Sequence, residues 1–494
     1  MNDIKKFIMN LPDKDFSLCN SIYPKSINQV ENSWIFMIDE NNEDKLVITG
    51  KLAEDFSGEI IKDGNVEFKI ASLTYENAEA LRKNVSFTKP KNVLNEQRSL
   101  GLGDRLGIAG PGHLQIMEKY DAYPVLAQQS IRELNLTNRS YKDVLDAASF
   151  AVFKEGFKRG FGADGDHLKT FADIEYALSL GFTMITLDCS DHIRNDIEDM
   201  SETKVNETLK LDEVYNELYL NKSFDIEENI VNFTEIELKR CILTYGKAID
   251  FAVEVYDNYI KNNQNEVNFE ISIDETATPT SPTQHFFVAS ELKRHGVKCD
   301  TVAPRFCGEF QKGIDYIGDI QQFEQEMKVH AAIARHFGYK LSIHSGSDKF
   351  SIFEIVGKYT KGNFHVKTAG TNWLEAMKVV AICDPKLYRE VHKYALSRFE
   401  DAKAFYHVTT DINKIPDLDS MQDFELKELF ANNDSRQLIH ITYGFILSAK
   451  DKDGNYQFKD RLFKLWQTEK ERYAKELYQH IGKHLCLLYK GFEN

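Results

Sequence analysis

The sequence predicts an α/β protein built on a (β/α)8, TIM-barrel-like domain, with a small mostly-β module before it and helical insertions. Three observations carry this. From Gly101 onward, short strand patterns alternate with amphipathic helix patterns, the mark of a mostly parallel sheet. Polar and charged residues collect where those strands end, as they do at the C-terminal face of a barrel. At 494 residues the chain has room for a full barrel plus an accessory module.

Residues 1–95 form the β-rich module. WIFMID, KLVITG, GEIIK and VEFKIASLTY are short strand-type runs, broken by turns at Asn41-Asn42 and Asp63-Gly64. A structural cover for the main domain is the simplest role, with a lid or an oligomer contact as alternatives. Residues 96–494 are assigned to the barrel and its additions. LGLGDRLGIAGPGH (100–113) reads as a first strand and a loop carrying Asp104, Arg105 and His113; it is not a dinucleotide-binding G-x-G-x-x-G, so no nicotinamide is expected. PVLAQ (124–128) is a second strand, followed by a helix over 140–159. GFGADGDHLKT (160–170) and TMITLD (183–188) come next, and then an acidic helical stretch, 195–263, that is too long for a simple link and reads as an insertion.

NFEISIDE (268–275) alternates strictly, with Phe269, Ile271 and Ile273 on one face and Glu270, Ser272 and Asp274 on the other. A helix over 283–295 ends at Gly296, and KCDTVAPRF (298–306) is the next strand. The helix 319–337 opens on Asp319 and ends at Gly338. KLSIHSG, a helix over 350–359, NFHVKTAG (363–370) and a long helix from 374 repeat the unit. RQLIHITYG (436–444) is a candidate last element, and an amphipathic helix over 462–485 closes the chain.

A net charge of −16 argues against a nucleic-acid partner, which would need a basic face. Seven scattered cysteines, among them Cys19, form no C-x-x-C pair and read as reduced thiols in a cytoplasmic protein. MNDIKKFIMNLPDKDF is no signal peptide, and no run approaches the roughly 18–20 apolar residues of a membrane span.

Five clusters at strand ends are candidate sites. Asp164-Gly165-Asp166-His167-Leu168-Lys169-Thr170 sets two carboxylates, an imidazole and an ammonium together; a solvated turn with a helix N-cap is the competing explanation. Glu270, Asp274 and Glu275 are either acid/base groups inside a barrel or the wet face of a half-buried strand. Arg305, Glu309, Gln311 and Lys312 follow a strand end. His344, taken alone, is more often a hydrogen-bonded core residue than a ligand. His365 and Lys367 share a side of the next strand, where Lys367 meets a carboxylate. Solvated turns, half-wet strands and core histidines do not explain why such clusters recur at successive strand ends, and two His with oxygen donors suit a catalytic divalent metal.

GADGDHLKT, FEISIDETATPTSPTQHFFVASELKRHG, RFCGEFQKGIDYIGD, LSIHSGSDKFSIF and HVKTAGTNWLEA together resemble the tagaturonate epimerase family, bacterial metal-dependent enzymes that interconvert D-tagaturonate and D-fructuronate in hexuronate catabolism. The resemblance runs from about Gly101 to Gly444. It implies Asp166 as proton acceptor, Glu270 as the opposite acid/base, and His167, Gln311 and His344 as metal ligands; two His with oxygen donors admit Zn, Mn, Ni or Co alike. Asp274 and Glu275 stand as alternatives beside Glu270, Glu309 beside Gln311, and Asp164 as a helper of Asp166. Lys349, Lys367, Arg105 and Arg305 are candidates to clamp the substrate carboxylate, with Ser345, Ser347, Asp348 and Lys169 at its oxygens. A small sugar acid is the expected partner, with neither nucleic acid nor membrane, and a homo-oligomer is open. Rival readings are a metal-dependent ketose isomerase or aldolase on the same scaffold, or a non-catalytic sugar-acid binder.

Overall fold

The structure, a computed structural model, describes residues 2–11, 21–368 and 370–493; Cys19 lies outside the described residues. After the helix Asn2–Asn10 comes an antiparallel sheet of five strands: β1 (Asn28–Val30), β2 (Ser33–Glu40), β3 (Glu43–Thr49), β4 (Glu59–Asp63) and β5 (Val66–Ser72), in the order β1-β2-β3-β5-β4. The β2–β3 hairpin turns on Asn41 and Asn42, both at positive φ (56° and 68°), where Asn is tolerated and the strand twist is matched. One face of this sheet buries Ile35, Met37, Leu46 and Ile48 against Phe150 and Phe153 of the barrel helix Tyr141–Glu155.

Eight parallel strands then close into a barrel. They are β6 (Arg98–Gly101), β7 (Tyr123–Ser130), β8 (Gly162–Leu168), β9 (Met184–Asp188), β12 (Asn268–Ile273), β13 (Thr301–Pro304), β14 (Lys340–Ile343) and β15 (Phe364–Lys367), with β15 pairing back onto β6. The hairpin β10 (Ser223–Ile226) and β11 (Asn229–Asn232) lies in the segment between β9 and β12. This revises the expected insertion. The helix Glu235–Val255, opened by a Thr234/Glu237 capping box, is the barrel helix that follows β9, so the addition proper ends near 234.

Residues 436–444 supply no strand. They belong to the helices Asn433–Ile441 and Tyr443–Ser448, and the barrel is complete without them. The chain after β15 instead builds a helical extension with its own core around Trp373, Tyr443 and Trp466. Its final helix, Lys470–Glu493, returns to pack between the barrel helices Gly110–Met117 and Phe353–Thr360. That is the slot where the helix after the eighth strand would sit. Among the described residues no helix is long and apolar enough to cross a membrane.

Candidate active site

The site lies at the C-terminal ends of β8, β9, β12, β14 and β15. Adjacent strand residues normally face opposite ways, yet Asp166 and His167 both serve the barrel mouth. The β8–β9 register slips between Gly165 and Leu168, and His167 takes φ 55°. A bulge with a left-handed residue re-aims a side chain, and such strain persists where the surroundings over-determine it.

Beneath the mouth, Lys367 of β15 is enclosed by three carboxylates. Its Nζ lies 2.6 Å from Asp166 Oδ1, 2.7 Å from Glu270 Oε1 and 3.0 Å from Asp164 Oδ2. Thr186 Oγ1 lies 2.9 Å from both Asp164 oxygens, and Thr301 Oγ1 donates to Glu270 Oε2 at 2.6 Å. Lys367, expected as a clamp for substrate, is thus the internal counter-ion of the acid/base candidates. Burial alone would raise all three carboxyls. Lys367 overrides it for Asp166, drawn down to about 2, and for Glu270, held well below the usual range; Asp164, crowded by the other two, rises to about 6. Burial would lower Lys367, but its three carboxylates keep it firmly cationic.

Glu270 is wholly buried inside the barrel, so the polar face of β12 looks into the closed sheet and not into solvent. Glu270 Oε1 also lies 2.8 Å from His344 Nε2. This fixes the ring and turns Nδ1 the other way, 3.2 Å from Asp274 Oδ2. His167 Nδ1 stands 3.4 Å from Asp188 Oδ2, and the two imidazoles meet edge to face with centroids 4.9 Å apart. Neither contact has hydrogen-bond geometry, so both Nδ1 atoms are buried without a hydrogen-bond partner. Burial disfavours the charged form of each ring, but Asp166 and Asp188 raise His167, and Asp274 with Glu270 raises His344 to about 10. Imidazole nitrogens and carboxylate oxygens are donor types that suit a divalent cation, and one group at the mouth brings three such atoms together. His167, Asp188 and the exposed Glu275 each bring a ligand atom within 4.8 Å of the others.

Other expected residues are placed elsewhere. Gln311 does not join this group: its Oε1 accepts from Thr409 N, Thr409 Oγ1 and Gln437 Nε2 at 2.9–3.0 Å, and its Nε2 donates to Glu309. An amide oxygen with its acceptor capacity taken would have to shed bonds to ligate a metal. Lys349 is fully buried and donates to the carbonyls of Gln311, Ile314 and Ser347 at 2.6–2.8 Å, which uses all three of its N–H donors. Asp348 pairs with Arg436 and His480 of the helical extension, at 2.9 and 2.8 Å. Arg105 is spent on Glu133 and stacks 4.1 Å from the Tyr443 ring, and Arg305 donates to the Thr276 carbonyl. Ser347 is buried. Lys169, half-buried, reaches Ser190 and Asp191 at 2.7 and 2.8 Å. Ser345, at φ 49°, accepts from Lys312 Nζ at 3.2 Å.

Asp188, Thr186 and Thr301 carry no mark in the sequence that separates them from ordinary strand residues, whereas Lys312 belongs to the cluster after the 298–306 strand. Asp188 ends the TMITLD run, and that strand-end position was the available signal. Burial lowers the Lys312 ammonium, which sits near Glu133, Arg105, Arg132 and Asp166.

The sequence profile of the family described as tagaturonate epimerase matches residues 23–488. A tagaturonate/fructuronate epimerase of Thermotoga maritima is 41% identical over 475 residues, covering 94% of this chain and 96% of the relative. The crystal structure of a fructuronate-tagaturonate epimerase from Cohnella laeviribosi complexed with one glycerol superposes with a TM-score of 0.93 at 49% identity, covering 99% of each chain. The native crystal structure of that protein gives 0.92 at 49% identity, covering 98% of this chain and 99% of the other.

Proposed function

The chain belongs to the tagaturonate epimerase family, and from that premise we propose that it interconverts D-tagaturonate and D-fructuronate with the help of a divalent cation. The observation that carries the proposal is the pairing of Asp166 and Glu270 through one ammonium, Lys367, beneath two imidazoles with unpartnered Nδ1 atoms.

In a 5-keto-hexuronate the inverted carbon is C3, β to both the ketone and the carboxylate. Its C–H is activated by neither, so direct enolisation there is closed. The C3 hydroxyl is instead the handle for a retro-aldol route. Asp166, at the strand end, takes the hydroxyl proton, and the C3–C4 bond breaks to leave a C3 aldehyde and a C4–C5 enediolate. The aldehyde turns its other face, C4 re-adds, and the new C3 oxygen takes its proton from Glu270, which has by then received it from Asp166 by way of the Lys367 ammonium. Lys367 lies within 2.7 Å of both carboxylates, so the proton taken by one is restored to the other through its ammonium.

His167 and His344 would hold the cation, with Asp188 and Asp274 as the nearest oxygen donors; when bound it supplies Lewis-acid polarisation. The Glu270–His344 bond is the carboxylate–imidazole pairing that orients a metal-bound histidine. Lys312, beside Ser345, meets the substrate carboxylate as a point charge.

The test is an NMR assay on D-tagaturonate, with enzyme as purified, after chelator, and after add-back of Zn, Mn, Ni or Co. D-fructuronate should form, cease after chelation and return with one of the metals. No epimer, or full activity in metal-free protein, would overturn the proposal. Release of free three-carbon fragments would make the protein an aldolase.

A further inference from the structure

Behind the barrel mouth a second group of ligand-type side chains has no part in the chemistry above. His480 and His484 are four residues apart on the helix Lys470–Glu493, so their rings share one face, with centroids 4.9 Å apart. Both turn toward the loop after β14. His480 Nε2 lies 2.8 Å from Asp348 Oδ1, and His484 Nε2 lies 3.1 Å from the Asp348 amide nitrogen. One nitrogen from each ring and one Asp348 oxygen fall within 4.8 Å of one another.

The far nitrogens are held as well. His480 Nδ1 is 3.2 Å from Glu375 Oε1, and His484 Nδ1 is 2.9 Å from the His480 carbonyl. A carboxylate on one distal nitrogen and a backbone carbonyl on the other is how metal-bound histidines are oriented. A second observation points the same way. Asp348 is 2% exposed, yet neither of its carboxylate oxygens makes a hydrogen bond of proper geometry, and His480 Nε2 is likewise unpartnered. The Arg436 guanidinium at 2.9 Å from Oδ2 offsets part of the charge and leaves Oδ1 to the histidines. Asp348 also sits at φ 64°, a conformation the loop must be made to hold. A cavity of about 800 Å³, lined by Asp348, Glu375, Arg436 and His480, gives solvent access.

We propose that Asp348, His480 and His484 form a second divalent-cation site, distinct from the one at the barrel mouth. Two imidazoles and one carboxylate, with a position open to water, suit Zn, Co or Ni better than Mg or Ca. In binding, His484 Nε2 exchanges the Asp348 amide for the metal. The ion would tie the last helix, which fills the eighth helical slot of the barrel, to the loop that follows His344. The competing arrangement is a metal-free one, with a protonated His480 bridging Asp348 and Glu375.

Titration with Co²⁺ separates these. The full chain carrying His167→Ala and His344→Ala removes the imidazoles at the mouth, so cobalt taken up reports the second site whether or not the mouth binds metal. After chelator treatment this variant should bind one Co²⁺ per chain, with visible d–d bands and a raised Tm. Adding His484→Ala, or separately Asp348→Asn, should abolish the bands. Should those variants fail to fold, anomalous scattering from crystals of the wild-type chain grown with Co²⁺ decides: a peak between Asp348 and the two histidines supports the site. No cobalt uptake by the double variant, or no peak there, overturns it.

Discussion

The C-terminal end of β8 (164–169) and the loop after β14 (345–349) have similar compositions: small residues, one or two aspartates, a lysine and a preceding or included histidine, each with a non-glycine residue in the left-handed region. Their charges go opposite ways. In 164–169 both aspartates and His167 turn into the barrel mouth, where they meet Lys367 and the carboxylate-held His344. In 345–349 the aspartate and the lysine are buried on other partners, Lys349 on three carbonyls and Asp348 on Arg436 and His480. What packs behind the loop decides which way it works. The helical extension covers the second loop and offers partners of its own. The first loop has only the barrel interior, and a buried charge must find a partner where one exists.

The largest effect should come from Lys367→Met, which leaves three carboxylates buried without their cation. Breaking a buried charge network of this kind costs roughly 3–5 kcal/mol, so denaturant unfolding should show a sharp loss of stability and activity should vanish. A stable variant would mean that the three carboxyls do not depend on Lys367. Asp166→Asn should next lower kcat by about 10²–10⁴-fold with little change in Tm, the usual range for a lost acid/base group; a kcat within a few fold of wild type would remove Asp166 from the proton path. Lys349→Met should cost about 1–3 kcal/mol of stability, for three carbonyls left without their buried donor, while KM stays within about twofold of wild type; these tolerances follow the structural role assigned to it. A KM rise without loss of stability would return Lys349 to the substrate and erase the contrast between the two loops. Smallest, Lys312→Met should raise KM by about tenfold with kcat nearly unchanged, as loss of one charge-assisted bond to bound substrate implies. An unchanged KM would take Lys312 out of carboxylate recognition.

The barrel was legible because its strands and helices announce themselves by period, and the closing pair β15–β6 needs nothing beyond eight such units. Glu270 shows where periodicity stops. Alternation of Phe269, Ile271 and Ile273 with Glu270 and Ser272 is the same whether the polar face meets water or a closed barrel interior, and only closure tells them apart. The bulge that aims both Asp166 and His167 inward rests on a positive φ at a histidine, which no pattern announces. Gln311 enters as a ligand through the family resemblance, and Lys349 through its place just after β14. Their partners, Thr409, Gln437 and three backbone carbonyls, come from distant or main-chain atoms that a strand-end argument does not see. The resemblance supplied the chemistry; the three-dimensional packing supplied Lys367 as the group that joins the two acid/base candidates.

In the retro-aldol route protons move between oxygens at Asp166 and Glu270 while the hydrogen on C3 stays on carbon. Turnover of D-tagaturonate in D2O, followed by NMR of the D-fructuronate formed, reads this directly. Protium should be retained at C3 through many turnovers. Deuterium appearing at C3 in step with product would contradict it and require direct removal of the carbon-bound hydrogen.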